Sequence, residues 1–280
     1  MFQTNYLPIS TEHPEWGNVA VLPWDTDIFG FPVGDYKVGD ALAVAANRDA
    51  FHAALQKWAE TNRVELVSAS VPVADPLWCS LLQDNGFRFV DCTLEVIHKH
   101  VQTVHVPATR NPLRVATPQD QEQVEQLAEN AFRYGRYHAD TRFPRALADL
   151  RYRRWLRNAF ASMGPQSIVY VAGPPEHIRG FIHLNFNGTD SYMTIAAVEN
   201  SLQGSVVGFD LIAETVNKIK ALGIRRNFSK ISAGNLGIVN IALSFDCRFG
   251  PPQAVFHWHA PHAPHLLPRD AAYQSPAPVV

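Results

Sequence analysis

Cysteine is scarce: Cys79, Cys92 and Cys247 are the only three in 280 residues. An odd, scattered set builds no disulfide framework, and with no C-x-x-C pair it makes no zinc finger. Free thiols in a reducing compartment are the expectation. A surplus of charge is missing too. Lys and Arg number 24 against 26 Asp and Glu, a net charge of -2 with histidine neutral, so nothing draws the chain to nucleic acid or an anionic membrane. No apolar run is long enough to span a bilayer. The opening "MFQTNYLPISTEHPEW" lacks the basic stretch and apolar core of a secretory signal. What is present, 46% hydrophobic and 18% charged residues, is the composition of a folded globular chain with room for one large domain or two small ones. These features predict a cytoplasmic protein that acts on small molecules.

The order of elements predicts an α/β fold in two parts. "GNVAVLPWDTDIFGFPVGDYKV" alternates strand-forming and turn residues. "ALAVAANRDAFHAALQKWAETNRV" has helical spacing at Phe51, Leu55 and Trp58. "ELVSASVPV", a helix begun by Asp75 and Pro76 and ended by Gly86, and "RFVDCTLEVIHKHV" complete the first part. The polar stretch 101–113 is the candidate linker. Thr117 and Pro118 open a new helix, and a second helix lies within "DTRFPRALADLRYRRWLRNAF". The strands "SIVYVAG", "RGFIHLNF" and "SYMTIAAV" follow, then "GFDLIAETVNKIKALG", "FSKISAG", "NLGIVNIALSF" and a last strand "AVFHWHA". The expected division is 1–105, 112–260, and a mobile Pro/His-rich tail at 261–280. The end of the first part is a shorter echo of the second.

"SLQGSVVGFDL", residues 201–211, joins a strand to a helix. A helix start carries unpaired N–H groups and partial positive charge, and glycines let a phosphate come close. Gln203, Gly204, Ser205, Val206, Val207 and Gly208 are therefore the candidate anion loop. "AAVENSLQGSVVGFDLI" resembles the acyl-CoA loop of the Gcn5-related N-acetyltransferase (GNAT) superfamily, in which Gln/Arg-x-x-Gly-x-Gly/Ala opens a helix after a strand ending Ala-Val. "WDTDIFGFPVG" at 24–34 and "AFRYGRYHADTRFPRALADLRYRRWLRNAF" at 131–160 resemble the dTDP-fucosamine acetyltransferase-like subgroup, which acylates nucleotide-linked amino sugars and carries a truncated GNAT-like half before the complete one.

The resemblance implies a mixed central sheet flanked by helices, with acetyl-CoA or another acyl-CoA as co-substrate and a small-molecule amine as acceptor. It implies that Ala197 and Val198 offer backbone groups to the pantetheine arm and the oxyanion, and that Asn235 and Asn240 contact the donor. Arg133, Tyr134, Arg136, Tyr137 and Asn185 would bind the acceptor, the arginines through phosphate or carboxylate. His183, His138 and Asp140 are the candidates for proton transfer. Two positions depart from the family's pattern. Val206 replaces a glycine, and Ala242 stands where a tyrosine protonates the departing thiolate; a register shifted by two puts Ser244 there. A thiol of pKa about 8.5 leaves without an acid at a penalty of about 10²–10⁴-fold. Transfer from an acyl carrier protein, a decarboxylation, or a non-catalytic metabolite-binding role therefore stay open, as does a homodimer. His257 and His259 share a strand face, but no carboxylate is evident beside them and His262 and His265 fall in the tail, so no metal is expected.

Overall fold

A computed structural model describes residues 4–261 and 263–267. Along the chain come β1 (Leu7–Pro8), β2 (Gly17–Val21), α1 (Pro23–Phe29), β3 (Val33–Val38), α2 (Ala41–Ala46), α3 (Arg48–Thr61), β4 (Leu66–Pro72), α4 (Pro76–Asp84) and β5 (Arg88–His98). Then follow β6 (Leu113–Val115), α5 (Gln121–Ala131), α6 (Arg136–Ala139), α7 (Arg145–Ala161), β7 (Ser167–Ala172), β8 (Gly180–Asn187) and β9 (Asp190–Val198). The chain closes with α8 (Val206–Ala221), β10 (Arg226–Ser232), α9 (Leu236–Ser244), β11 (Arg248–Phe249) and β12 (Gln253–His259). The single helix expected over 41–64 is two, because Asn47 leaves helical geometry at φ -133°, ψ 38°.

Two compact units divide the chain. One holds Met1–Thr93, Arg133–Ala148 and Pro251–Val280, the other Leu94–Phe132 and Asp149–Gly250. In the first unit the strands run β1-β2-β3-β4-β12-β5, with β3 and β4 parallel and the other neighbours antiparallel. Strand periodicity puts Val67, Ala69 and Val71 of β4 with Ala254, Phe256 and Trp258 of β12 in one core, beside Phe51, Leu55, Trp78 and Leu82 from the helices. That burial places β12 in the first unit, although its position in the sequence suggested the end of the second domain. Residues 133–148 also belong to the first unit, so the compact units differ from the linear division at 105/112.

The second unit orders its strands β10-β9-β8-β7-β6, with β9 and β10 parallel and the rest antiparallel. Tyr170, Ala172, Ile182 and Leu184 pack with Leu211, Ala213, Val216 and Ile219 of α8. The alternate residues Val169, Val171, Phe181 and Ile195 pack with Val124 and Ala128 of α5 and Leu156 of α7. Helices thus cover both faces of this sheet.

His262 and most of the expected tail lie outside the described residues. The expectation of a mobile His265 is corrected: its ring stacks on Phe31 at 5.2 Å, and its backbone N–H donates to Glu65 Oε2 at 3.1 Å. An aromatic partner and a buried carboxylate hold this segment down.

Candidate functional site

β9 and β10 pair only over 190–193 with 226–229. β9 runs on to Val198 and β10 to Ser232, so beyond Met193 the two strands part. Their facing backbone groups have no ladder partner in that register, and Ala196, Ala197 and Val198 are half-buried. The fork opens toward the loop at 199–205 and the N-terminus of the 16-residue α8.

Local chemistry explains this helix start. Gly204 turns the chain at φ 79°, a conformation that favours glycine. Ser205 is the N-cap, its Oγ accepting from Val207 N–H at 3.3 Å while donating to the Leu202 carbonyl at 2.6 Å. Val206 begins the helix and is 53% exposed, whereas Val207 is buried. A Cβ on Gly208 would meet only Ile241 Cδ1, at 3.9 Å, so that glycine leaves open space against α9. Phe209 stacks on Phe245 at 5.2 Å and fixes α8 beside the end of α9.

Three side chains expected at the donor do other work. Gln203 Nε2 donates to the Ala131 carbonyl at 2.8 Å and to Asn200 Oδ1 at 2.9 Å, closing the C-terminus of α5. Asn235 caps α9, its Oδ1 accepting from Ile238 N–H at 3.3 Å. Ser244 Oγ donates to the Asn240 carbonyl at 3.0 Å. Ala242 is buried, so neither register supplies an acid. Asn240 is exposed on α9.

At the same end of the sheet, by β8, β7 and β6, lies a groove of about 350 Å³ lined by Arg110, Asn111, Arg114, Gly173 and Arg179. The Arg110 N–H and Asn111 Nδ2 donate to Asp210 Oδ2 of α8 at 3.0 and 2.7 Å, and Glu199 N–H donates to the Arg179 carbonyl at 2.8 Å. Arg114 is neutralised by Asp120 at 2.7 Å. Arg110 and Arg179 are exposed guanidinium groups at the edge of the loop.

No protein-family model matches the chain, and no curated protein matches it. Solved structures do. A GCN5-related N-acetyltransferase from Sphaerobacter thermophilus aligns with TM-score 0.63 and 13% identity, over 88% of this chain and 77% of that one. One from Kribbella flavida gives 0.59 and 12%, over 94% and 92%. A tandem GNAT protein of the clavulanic acid biosynthesis pathway gives 0.54 and 13%, over 87% and 79%. The chain has the GNAT fold. Within it, the fork between β9 and β10 and the start of α8 are the candidate donor site.

Two of the three expected bases, His183 and Asp140, are engaged within the protein. His183 is buried, with Nε2 2.9 Å from Ser167 Oγ and Nδ1 2.7 Å from Thr194 Oγ1, and burial pushes its pKa down to about 4. Both ring nitrogens are engaged, so it is a packed sheet histidine. Asn185, two residues on, is half-buried.

Asp140 lies in the first unit. Burial alone would raise its carboxyl, but hydrogen bonds at 2.7 Å from His257 Nδ1 and His259 Nε2, both to Oδ2, hold it well below the usual carboxylate range. Its Oδ1 accepts from Arg142 N–H at 3.0 Å. A carboxylate so held is no base at neutral pH.

Two members of the expected acceptor clamp, Arg136 and Tyr137, are turned inward. Arg136 Nη2 is 3.1 Å from Asp25 Oδ2, Tyr137 OH donates to the same oxygen at 2.8 Å, and Arg136 Nη1 donates to Ser68 Oγ at 3.2 Å. Tyr137 packs edge-on to Phe29 at 5.0 Å. The two stretches that resemble the amino-sugar subgroup, 24–34 and 131–160, thus meet through a buried ion pair. Arg133 is exposed, and Tyr134 and His138 are half-buried. The carboxylate missing beside His257 and His259 is Asp140, over a hundred positions upstream; only the strand alternation of "HWH" was visible locally.

Proposed function

We propose that the protein transfers an acyl group from an acyl-CoA thioester to an amine of a small molecule. The fork between β9 and β10, ending at the start of α8 with its neutral Ser205 cap, carries this reading. The pantetheine amides would pair with the free edge of residues 194–198, and the pyrophosphate would meet the first N–H groups of α8. Val206 keeps its backbone N–H, and its exposed side chain would turn aside from a bound pyrophosphate. Arg110 and Arg179 give the neighbouring groove the charge to accept the phosphate-bearing end of such a donor.

The amine attacks the thioester carbonyl, the C–N bond forms, and the tetrahedral oxyanion collapses with cleavage of the C–S bond. The backbone N–H groups at Ala197 and Val198 would stabilise the oxyanion. With Ala242 apolar and Ser244 bonded within its helix, the sulfur leaves as a thiolate. With His183 held neutral by burial and Asp140 held as an anion in the first unit, the ammonium proton passes to water before attack. Rate should therefore rise with pH toward the pKa of the acceptor amine. Because Arg136 and Tyr137 serve a buried network, the acceptor is proposed only as a small-molecule amine, with a nucleotide-linked amino sugar as the first compound to try.

Isothermal titration with acetyl-, propionyl- and malonyl-CoA tests the donor. One site per chain in the micromolar range is expected. Absence of binding to all three and to free coenzyme A overturns the reading; acyl transfer from a loaded carrier protein in that case identifies the donor instead.

A further inference from the structure

A buried polar cluster outside the fork is Asp140 with His257 and His259. It uses two segments far apart in sequence, and all three residues are buried, at 5%, 0% and 7% exposure. β12 supplies both histidines from one face, His257 opposite Ser68 and His259 opposite Leu66 of β4. The ligand atoms of the three residues lie within 4.8 Å of one another.

We propose that Asp140 Oδ2, His257 Nδ1 and His259 Nε2 hold a divalent transition-metal ion of the zinc or cobalt class. Two imidazoles and one carboxylate form the donor set of such ions, whereas calcium and magnesium take oxygen ligands throughout. The carboxylate is oriented for the task. Its Oδ1 is tied to the Arg142 N–H, which leaves Oδ2 facing both rings. The ion displaces two hydrogen bonds rather than filling a void. Ligand bonds of about 2.0–2.2 Å in tetrahedral geometry separate donors by roughly 3.3–3.6 Å. Each 2.7 Å contact must open by about 0.6–0.9 Å, a side-chain adjustment.

Binding moves the single proton of each neutral ring from the nitrogen that donated to Asp140 to the other nitrogen of the same ring, so that a lone pair faces the ion. His257 then carries its proton on Nε2, a buried atom with no hydrogen-bond partner among the described residues. That unmatched donor weakens the site, but three ligands outweigh one unpaired N–H. Arg136, whose charge acts on His257, is matched by Asp25. Three protein ligands leave a fourth position for water, and the site stands independently of the donor fork.

The test uses the full chain stripped with a chelator and then titrated with Co²⁺ or Zn²⁺. One tightly held ion per chain is expected, with the visible absorption of tetrahedral cobalt. Binding should vanish in His257→Ala and in His259→Ala. Asp140→Asn should weaken it more than about 100-fold, beyond the 10–100-fold typical of losing an outer-shell partner. Circular dichroism checks that each variant folds. Where one does not, nitrogen NMR of the wild-type imidazoles decides, because only His257 and His259 should shift on adding Zn²⁺. No bound ion, binding that survives both histidine substitutions, or shifts confined to exposed histidines would each overturn the proposal and leave a hydrogen-bonded cluster.

Discussion

Each unit of this protein contains a strand, a helix start and a second strand parallel to the first, and the two diverge in what occupies the fork. In the first unit β3 and β4 pair over 33–36 with 66–69; in the second β9 and β10 pair over 190–193 with 226–229. Tyr36, the last residue of β3 paired with β4, is buried, its hydroxyl donating to the Trp16 carbonyl at 2.6 Å and its ring packed with Phe51, Trp78 and Phe87. The first helix start is closed by Asp40, whose Oδ1 accepts from Leu42 and Ala43 N–H at 2.8 and 3.2 Å. In the second unit the cap is the neutral Ser205, and the strand beyond Met193 is half-buried and unpaired toward β10. One topology thus yields a scaffold where a core aromatic ends the parallel ladder and a carboxylate takes the helix end, and a candidate cleft where neither does.

The largest expected effect breaks the scaffold side. Asp25 is buried, and Asp25→Ala leaves Arg136 facing Ser68 and Tyr137 without its carboxylate. Stranding one partner of a buried pair costs about 3–5 kcal/mol, read as a lower urea midpoint at an unchanged slope. Acetyl-CoA affinity of the folded variant should stay within about twofold. A stability loss below about 1 kcal/mol would show that the network is ornamental, and a large loss of affinity would show that the first unit is no mere scaffold.

The next effect belongs to the second unit and to pH. His183 has its pKa lowered from 6.5 to about 4 by burial. Between those values the unfolded chain binds the extra proton, so stability is fully present above about pH 6.5 and falls as pH drops toward 4. The lowering corresponds to roughly 3 kcal/mol at the acid end of that window. Urea melts from pH 7 to pH 4 should show the slope, and His183→Gln should flatten it. A slope unchanged by the substitution would assign acid sensitivity elsewhere.

Local features of this comparison were legible in the sequence and long-range ones were not. The strand–loop–helix at 190–221, the caps at Asp75 and Thr117, and the echo between the two halves follow from periodicity and turn chemistry. The membership of β12 did not, because an apolar strand records which face is buried and not which neighbour buries it. The same limit hid the site's polar partners. Arg136 and Tyr137 looked like an acceptor clamp because Asp25 lies 111 and 112 positions away. His183 looked like a base because Ser167 and Thr194 approach it from neighbouring strands. Polar residues in a strand advertise chemistry equally well whether their partner is a substrate or another strand.

The smallest expected effect tests the comparison at a single atom group. Ser205→Asp gives the second helix start the cap of the first. Aspartate and serine are near-equal N-caps, so stability should hold within about 0.5 kcal/mol. Affinity should not hold, because the new carboxylate occupies the N–H groups that a pyrophosphate would use and repels it at short range. A loss of at least about tenfold in acetyl-CoA affinity, about 1.4 kcal/mol, is expected by titration calorimetry and should shrink as salt is raised. The reciprocal Asp40→Ser should create no second site, since Tyr36 still packs the end of the β3–β4 ladder into the core. Undiminished binding in Ser205→Asp would mean that the donor does not use the start of α8, and the distinction between the two forks would then rest on packing alone.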